Sequence, residues 1–199
     1  MKLRGTTVTY ADIIRPQTKS RAKLYDAALI LSGSLMIALT AQIAIPLPFT
    51  PVPITGQMFG VLMIPALLGS RRGVMAVAAY LAEGLAGLPF FAGGMAGPAI
   101  LMGTTGGYLI GFLIAALVVG YLSEQGWDRK VGSTFLMMAL AVLIDYAFGA
   151  IWLSHFLPSS MILDLGILPF VIGDALKVSL VAMVLPAGWK GLRSLGVTK

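Results

Sequence analysis

The sequence predicts an all-α integral membrane protein with six transmembrane helices and with both termini in the cytoplasm. Three observations predict this fold. Of the 199 residues, 58% are hydrophobic and only 11% are charged, which is outside the usual range of soluble globular domains. The apolar residues form six long blocks rather than short periodic stripes. The basic residues fall in alternate connections between these blocks.

The first three blocks cover residues 27–45, 56–68 and 73–88. The first ends at four prolines between positions 46 and 53, which predict an extended connection because proline fixes φ and has no N–H to donate. The second block is short for a full crossing, at about 20 Å of helix. The third ends in Gly87, Leu88 and Pro89, and a glycine-rich loop follows it.

The last three blocks cover residues 105–122, 131–153 and 165–186, each near the roughly 20 residues that cross a bilayer. Six crossings place both termini on one side. The first 25 residues are polar and basic, unlike a cleaved secretory signal. We therefore divide the chain into a cytoplasmic tail over residues 1–25, a six-helix transmembrane domain over 26–190 and a second cytoplasmic tail over 191–199.

The basic residues indicate which side is cytoplasmic. The connections 46–55, 89–104 and 154–164 contain no Lys or Arg. The positive-inside rule therefore places both termini on the cytoplasmic side of the cell membrane. It also explains the net charge of +6 without a nucleic-acid partner. Apart from Lys177, the basic residues are all on the opposite side: Lys2, Arg4, Arg15, Lys19, Arg21, Lys23, Arg71, Arg72, Arg129, Lys130, Lys190, Arg193 and Lys199.

Four ionisable residues lie inside the blocks: Glu83, Asp145, Asp174 and Lys177. A charge near the bilayer centre costs about 2.5–3.5 kcal/mol on insertion scales, unless it faces a cavity or a partner. Asp174 and Lys177 are three residues apart, so they share a helix face and reduce each other's desolvation cost. Two interpretations stay open: a structural ion pair that locks helices together, or a polar end wall of a ligand pocket.

Glu83 and Asp174 lie at similar depths in their blocks, so we expect Glu83 to join the pair in a pocket reached from outside, provided that the third and sixth helices are neighbours. Tyr80, one turn before Glu83, would flank the pocket or pack in the core. Asp145 would line the same cavity or cap a neighbouring helix.

Small residues recur at three- and four-residue spacing in the first block, at Ala28, Ser32, Ser34 and Ala38. This spacing permits close helix contact, either inside the protein or with a partner. The glycines at 103–107 have no Walker lysine, and the sequence has no cysteine, no metal-ligand cluster and no catalytic triad pattern. We therefore expect a protein that is not an enzyme, and that needs no cofactor, metal or nucleic acid.

Short motifs distributed between residues 35 and 177 carry a resemblance to a known family. Their order and spacing resemble the BioY family, the biotin-specific substrate-binding (S) components of energy-coupling-factor transporters. One departure is Thr104, where the family pattern leads us to expect proline, and this would alter the start of the fourth helix. The matching residues are Pro53, Ile54, Thr55, Gly56, Gln57, Tyr80, Leu81, Gly84, Gly87, Leu88, Pro89, Phe91, Ala92, Gly93, Gly94, Gly103, Thr105, Gly106, Gly107, Tyr108, Gly111, Gly173, Asp174 and Lys177.

The resemblance implies a protein that captures biotin outside and delivers it inward with two cytoplasmic ATPases and a membrane coupling protein. The small-residue stripe makes the first helix the expected docking surface for these partners. It implies that Asp174 accepts a ureido N–H of biotin while Lys177 donates to the ureido oxygen. In the rival pose Lys177 binds the carboxylate. Gln57 and the loop that holds Phe91 and Gly94 would form an outer lid.

An alternative function is a small-molecule facilitator or a proton-coupled carrier, with Glu83 and Asp174 as proton sites. Uptake that depends on the proton gradient instead of ATP would identify it. The sequence is compatible with a homo-oligomer as well as with a monomer.

Overall fold

Helices dominate the computed structural model, which describes residues 7–197. The short helix α1 (Tyr10–Ile13) lies in the segment before the first apolar block. The other helices and the two strands are, in chain order, α2 (Lys19–Ala41), β1 (Ala44–Ile45), β2 (Ile54–Thr55), α3 (Gln57–Leu68), α4 (Ser70–Leu85), α5 (Pro98–Met102), α6 (Gly106–Glu124), α7 (Val131–Leu153), α8 (Ser159–Gly166) and α9 (Leu168–Ser194).

Each apolar block contains one α-helix of 12 residues or more, so the predicted helical class is confirmed. The helices α2, α6 and α7 and the stretch Ser159–Ser194 are long and apolar enough to cross a bilayer. The helices α3 and α4 are shorter, at 12 and 16 residues. The chain is thus a multi-pass helical membrane protein, and six crossings remain a prediction. At the ends, α2 begins inside the segment assigned to the N-terminal tail, and α9 extends past residue 190.

The proline-rich connection after α2 is extended, as predicted, but it is also closed by a short β ladder. Ala44 pairs with Thr55 and Ile45 with Ile54 in antiparallel register. The Thr50 hydroxyl donates a hydrogen bond of 2.6 Å to the Leu165 carbonyl at the end of α8. These contacts fold the loop back over one end of the helix bundle, so that it can cover a space between the helices.

Glycines bring α6 and α7 into close contact. A Cβ added at Gly107 would lie 2.2 Å from the Trp152 Cβ, and one added at Gly149 would lie 2.1 Å from the Tyr108 ring. Real Cβ atoms do not approach other atoms so closely, and therefore only glycine fits at this helix spacing. Their contact sets the position of every side chain that α6 and α7 present to the cavity described below.

Two of the basic residues predicted to lie on one side, Arg72 and Arg129, contact the segment 7–14. Lys2, Arg4 and Lys199 of the same prediction lie outside the described residues. Arg72, in the first turn of α4, forms an ion pair of 2.5 Å with Asp12 of α1. The Arg129 guanidinium donates to the Val8 carbonyl at 3.0 Å. The Glu124 carboxylate accepts hydrogen bonds from the Ser70 N–H and hydroxyl, which caps α4. The segment 7–14, assigned to the tail from sequence, is therefore packed against the helix ends.

The sides of the bundle expose large apolar side chains, as expected for a surface that contacts lipid. Soluble proteins rarely expose contiguous apolar area on this scale. Exposed apolar residues on α2, α7 and α9 include Leu31, Leu35, Leu39, Leu136, Leu140, Leu143, Ile172, Leu176 and Leu180.

Candidate ligand-binding pocket

A cavity lies at the end of the bundle opposite the arginines, beneath the connections that contain no Lys or Arg. Its volume is about 640 Å³, including solvent at its opening. The lining is mostly apolar with a few polar groups: Val52, Pro53, Thr55, Gln57, Met58, Phe91, Ala92, Met95, Ile100, Thr105, Tyr108, Leu109, Phe112, Asp145, Tyr146, Phe170, Asp174 and Lys177.

Asp174 and Lys177 form an ion pair in the wall of this cavity. Lys177 Nζ lies 2.7 Å from Asp174 Oδ1, one turn apart on α9, as their spacing predicted. The Tyr146 hydroxyl of α7 donates a hydrogen bond of 2.7 Å to Asp174 Oδ2. Each oxygen of the Asp174 carboxylate therefore has a donor from the protein. Because both members of the pair line the cavity, they are not sealed between helices.

Asp145 lines the same cavity, which is one of the two positions that the sequence left open. Its relative exposure is only 4%, and its Oδ1 has no hydrogen-bond partner among the residues that the structure describes. Gly111 of α6 gives it room, since a Cβ at that position would lie 2.6 Å from Asp145 Oδ1. The cavity wall thus holds one acid that is paired and one whose inner oxygen is unpaired.

Gln57, Phe91 and Tyr80 form two layers on one side of the cavity. Gln57 and Phe91 line the cavity, whereas Tyr80 lies behind them and is fully buried. The Gln57 amide donates a hydrogen bond to the Tyr80 hydroxyl, and the Tyr80 and Phe91 rings meet edge to face with centroids 5.7 Å apart. Tyr80 is therefore placed to position the two lining residues and does not itself reach the cavity.

The expectation that Glu83 joins Asp174 and Lys177 is wrong. Glu83 is not among the lining residues, and its carboxylate accepts a hydrogen bond of 2.5 Å from the Ser34 hydroxyl of α2. The reason lies in the packing: α4 packs mainly against α2, α3 and α6, while α9 packs mainly against α7 and α3. The third and sixth apolar blocks are thus not the neighbours that the expectation required.

Gly94 does not line the cavity either. It has a φ of +83°, which favours glycine, and its N–H donates to the Phe91 carbonyl at 3.0 Å. It therefore shapes the turn that holds Phe91 in place. Thr104, the departure from the family pattern, is outside the cavity, and α6 begins two residues later at Gly106, close to the predicted start.

The small-residue stripe of α2 is divided between two faces of the helix. Ser34 and Ala38 are buried at 1% and 3% exposure, so they pack inside the protein. Ala28 and Ser32 are exposed. Of the four residues predicted to dock a partner, only these two lie on an accessible surface.

Sequence reasoning missed Tyr146, the second donor to Asp174. A signal was present, because a buried tyrosine hydroxyl usually has a hydrogen-bond partner and Tyr146 adjoins Asp145 in a membrane helix. It also missed the aromatic residues Tyr108, Phe112 and Phe170, since aromatic residues in an apolar helix look the same whether they pack or line a cavity.

Comparison with known proteins gives consistent matches over most of the chain. The model of the BioY family matches residues 16–194. The biotin transporter BioY2 of Lactococcus lactis subsp. cremoris is 34% identical over 163 residues, which cover 81% of this chain and 88% of the relative. The biotin transporter BioY of Thermotoga maritima is 35% identical over 158 residues, covering 78% and 92%.

A solved structure is similar to the whole fold. It is the crystal structure of the S-component for biotin from an ECF-type ABC transporter, with a TM-score of 0.76 and 30% sequence identity. The match covers 88% of this chain and 95% of that one.

Proposed function

The chain belongs to the BioY family, as its motifs predicted, and on this basis we propose that it binds biotin as the substrate-specific component of an ECF-type transporter. The observation that carries the proposal within the structure is the Asp174–Lys177 ion pair in the wall of a mostly apolar cavity. A charged pair at this depth is costly unless a polar ligand or the aqueous cavity compensates it.

The cavity matches the chemistry of biotin. Phe112, Phe170, Leu109 and Met58 offer apolar surface to the ring sulfur and the aliphatic tail. Lys177 has three hydrogens, and Asp174 is its partner in the described structure, so the ammonium can also donate to the ureido oxygen or to the carboxylate of the ligand. In this proposal Asp174 holds Lys177 in position, and Gln57 and Phe91 cover the opening.

The proposal includes the orientation in the membrane. The protein crosses the cytoplasmic membrane six times, with α3 and α4 as short spans and with both termini in the cytoplasm. The absence of Lys and Arg from the connections above the cavity supports an outward-facing site. The packing of segment 7–14 against Arg72 and Arg129 supports a common cytoplasmic end. On this view residues 26–190 still describe the transmembrane domain, with α2 and α9 reaching into the flanking tails.

Partners supply the energy in this proposal. The chain has no nucleotide-binding motif, and the energising module would consist of two cytoplasmic ATPases and a transmembrane coupling protein. We place its docking surface on α2 at Ala28 and Ser32, where small exposed side chains allow another helix to approach closely.

Calorimetric titration of the purified protein with biotin tests the proposal. Asp174→Asn and Lys177→Ala should each weaken binding at least tenfold, because each removes one charge of the ion pair and leaves the other uncompensated in the cavity wall. Glu83→Gln is the matched control, an acid of another helix outside the cavity, and should bind like the parent. Absence of biotin binding by the parent protein would refute the substrate assignment, and unchanged binding by both cavity variants would refute the site.

A further inference from the structure

Asp174 is a poor candidate for the main ligand acceptor. Lys177 occupies one of its oxygens and Tyr146 the other, both at 2.7 Å. Its carboxylate is already stabilised by two protein donors, one of them charged. A ligand N–H would have to share an oxygen with one of these donors.

Asp145 differs from Asp174 in its hydrogen bonding. It lines the cavity one residue before Tyr146, and it is more than nine-tenths buried. Its Oδ1 is buried beside Gly111 and has no donor among the described residues. Buried polar groups nearly always have hydrogen-bond partners, and an unpaired one costs on the order of 1–3 kcal/mol. The contact with Gly111 leaves the carboxyl little room to turn elsewhere. Because Oδ1 is buried, a ligand N–H in the cavity would bond to Oδ2, and this hydrogen bond would offset part of the cost of burying the carboxyl.

We infer that Asp145 accepts a hydrogen bond from a ring N–H of the bound ligand, and that it thereby selects a cyclic urea over analogues that lack this donor. The inference rests on the proposed function and deepens it. Either protonation form of the carboxyl keeps an oxygen that can accept. Lys177, in the same wall, supplies a donor for the urea carbonyl. The wall then offers an acceptor and a donor to the two kinds of polar group that a cyclic urea carries.

The test uses two analogues of biotin in which one ureido N–H or the other is replaced by a ring oxygen. The replacement removes a donor with little change in shape. The parent protein should bind at least one of these cyclic carbamates about 10- to 100-fold more weakly than biotin, because a buried acceptor is left unpaired. In Asp145→Leu, whose side chain has the same branching but no acceptor, this preference should shrink to about threefold or less. Asp145→Asn, which keeps an acceptor oxygen, should retain most of it.

A second measurement separates a binding role from a structural one. Asp145→Leu should not lower the thermal unfolding temperature of the ligand-free protein, because it removes an unpaired buried carboxyl. A lower unfolding temperature together with an unchanged preference for biotin would overturn the inference. If the leucine is too large to fold, Asp145→Ala serves instead, and a persistent preference in that variant has the same meaning.

The outcomes distinguish this inference from the proposed function. A parent protein that does not bind biotin contradicts the proposed function. A parent that binds biotin but loses no affinity for either carbamate contradicts only the role of Asp145. Glu83→Gln, measured in parallel, should show the parent's preference, because its carboxyl bonds to Ser34 away from the cavity.

Discussion

Tyr146 and Lys177 together hold Asp174 in one position in the cavity wall. One donor binds each carboxylate oxygen, and the donors come from different helices, α7 and α9. Such a network restricts the rotation of every side chain in it. The ammonium of Lys177 is therefore presented to a ligand in a fixed place, which lowers the entropy lost on binding.

Removing one hydroxyl tests this network. Tyr146→Phe keeps the ring but takes the donor from Asp174 Oδ2, and one hydrogen bond to a charged group contributes about 1.5–3 kcal/mol. We expect the affinity for biotin to fall at least several-fold in calorimetric titration. Tyr121→Phe, which changes an exposed tyrosine of α6, is the control and should bind like the parent. Equal affinities for the two variants would show that the Tyr146 hydroxyl does not support the site.

At this scale the sequence predicted the Asp174–Lys177 contact, because two residues three apart on a helix must share a face. It could not place Glu83, since that required knowing which helices are neighbours. The partner of Glu83 is Ser34, which in the sequence belongs to the small-residue stripe of the first block. The placement of Glu83 also removes one of the two proton sites of the alternative carrier from the cavity.

The contact between α6 and α7 predicts an unequal response to added methyl groups. Gly107→Ala would place a Cβ 2.2 Å from the Trp152 Cβ and 2.5 Å from the Phe148 carbonyl oxygen, so the helices must separate. We expect a loss of stability of about 1–3 kcal/mol, measured as a lower thermal unfolding temperature in detergent.

The control is Gly132→Ala in the first turn of α7, where nothing lies within 4 Å of the added Cβ. Alanine favours the helix, so this variant should be as stable as the parent or slightly more stable. A fall in unfolding temperature at Gly132 equal to that at Gly107 would contradict the packing argument.

The α1–α4 ion pair predicts a dependence of stability on pH. Burial acts to raise the pKa of Asp12, but the hydrogen bond and charge of Arg72 and the hydrogen bonds from Thr9 outweigh it, so the pKa lies below its usual 3.8. The folded state therefore binds protons less readily than the unfolded state. The contribution of Asp12 is complete above the unfolded pKa and is lost as pH falls through the folded pKa.

Thermal unfolding at a series of pH values from 6 to about 3 checks this sign. The parent should lose stability toward the acid end, and Asp12→Asn should be less stable at pH 6 and lose less between the two ends. If the two proteins lose stability in parallel, Asp12 does not contribute to the acid sensitivity.

Among the elements, the long helices could be predicted because about 20 apolar residues in a row have few other folds in lipid. The ladder between β1 and β2 could not, since two residue pairs leave almost no period to detect. The helices α5 and α8 lie in connections where the sequence predicts no helix. A helix of five to eight residues depends on its surroundings more than on its own sequence.

For the whole molecule, the exposed small residues of α2 predict that some substitutions will reduce biotin uptake without changing biotin affinity. Ala28→Leu and Ser32→Leu should reduce biotin uptake by cells that express the energising module, because a bulky side chain prevents close helix contact. Biotin affinity of the purified variants should be unchanged, since α2 contributes no residue to the cavity lining. Ala27→Leu, at the neighbouring exposed position, is the control. Loss of uptake in all three variants alike would argue against a specific docking surface.

The two ends of the molecule were the most predictable part of its organisation. Charge counting alone separated the arginine-bearing connections from the others, and the structure brings Arg72, Arg129 and the segment 7–14 together. The cavity itself was not predictable in outline. Its walls come from five separated parts of the chain, and their meeting depends on the spacing of α6 and α7. Glycines determine this spacing, but their positions in the sequence do not show which helices they bring together.

The close contact of α6 and α7 at their glycines also limits how the cavity could be altered to bind a different ligand. At these glycines there is no side chain that could be shortened, so the part of the cavity wall formed by α6 and α7 cannot be enlarged. A bulkier residue there would force the two helices apart. Room for a larger molecule would have to come from trimming Phe170 on α9, Met58 on α3 or Phe91 in the loop. Directed evolution toward longer vitamins or labelled derivatives should therefore accumulate substitutions at those positions and leave Gly107, Gly111 and Gly149 untouched.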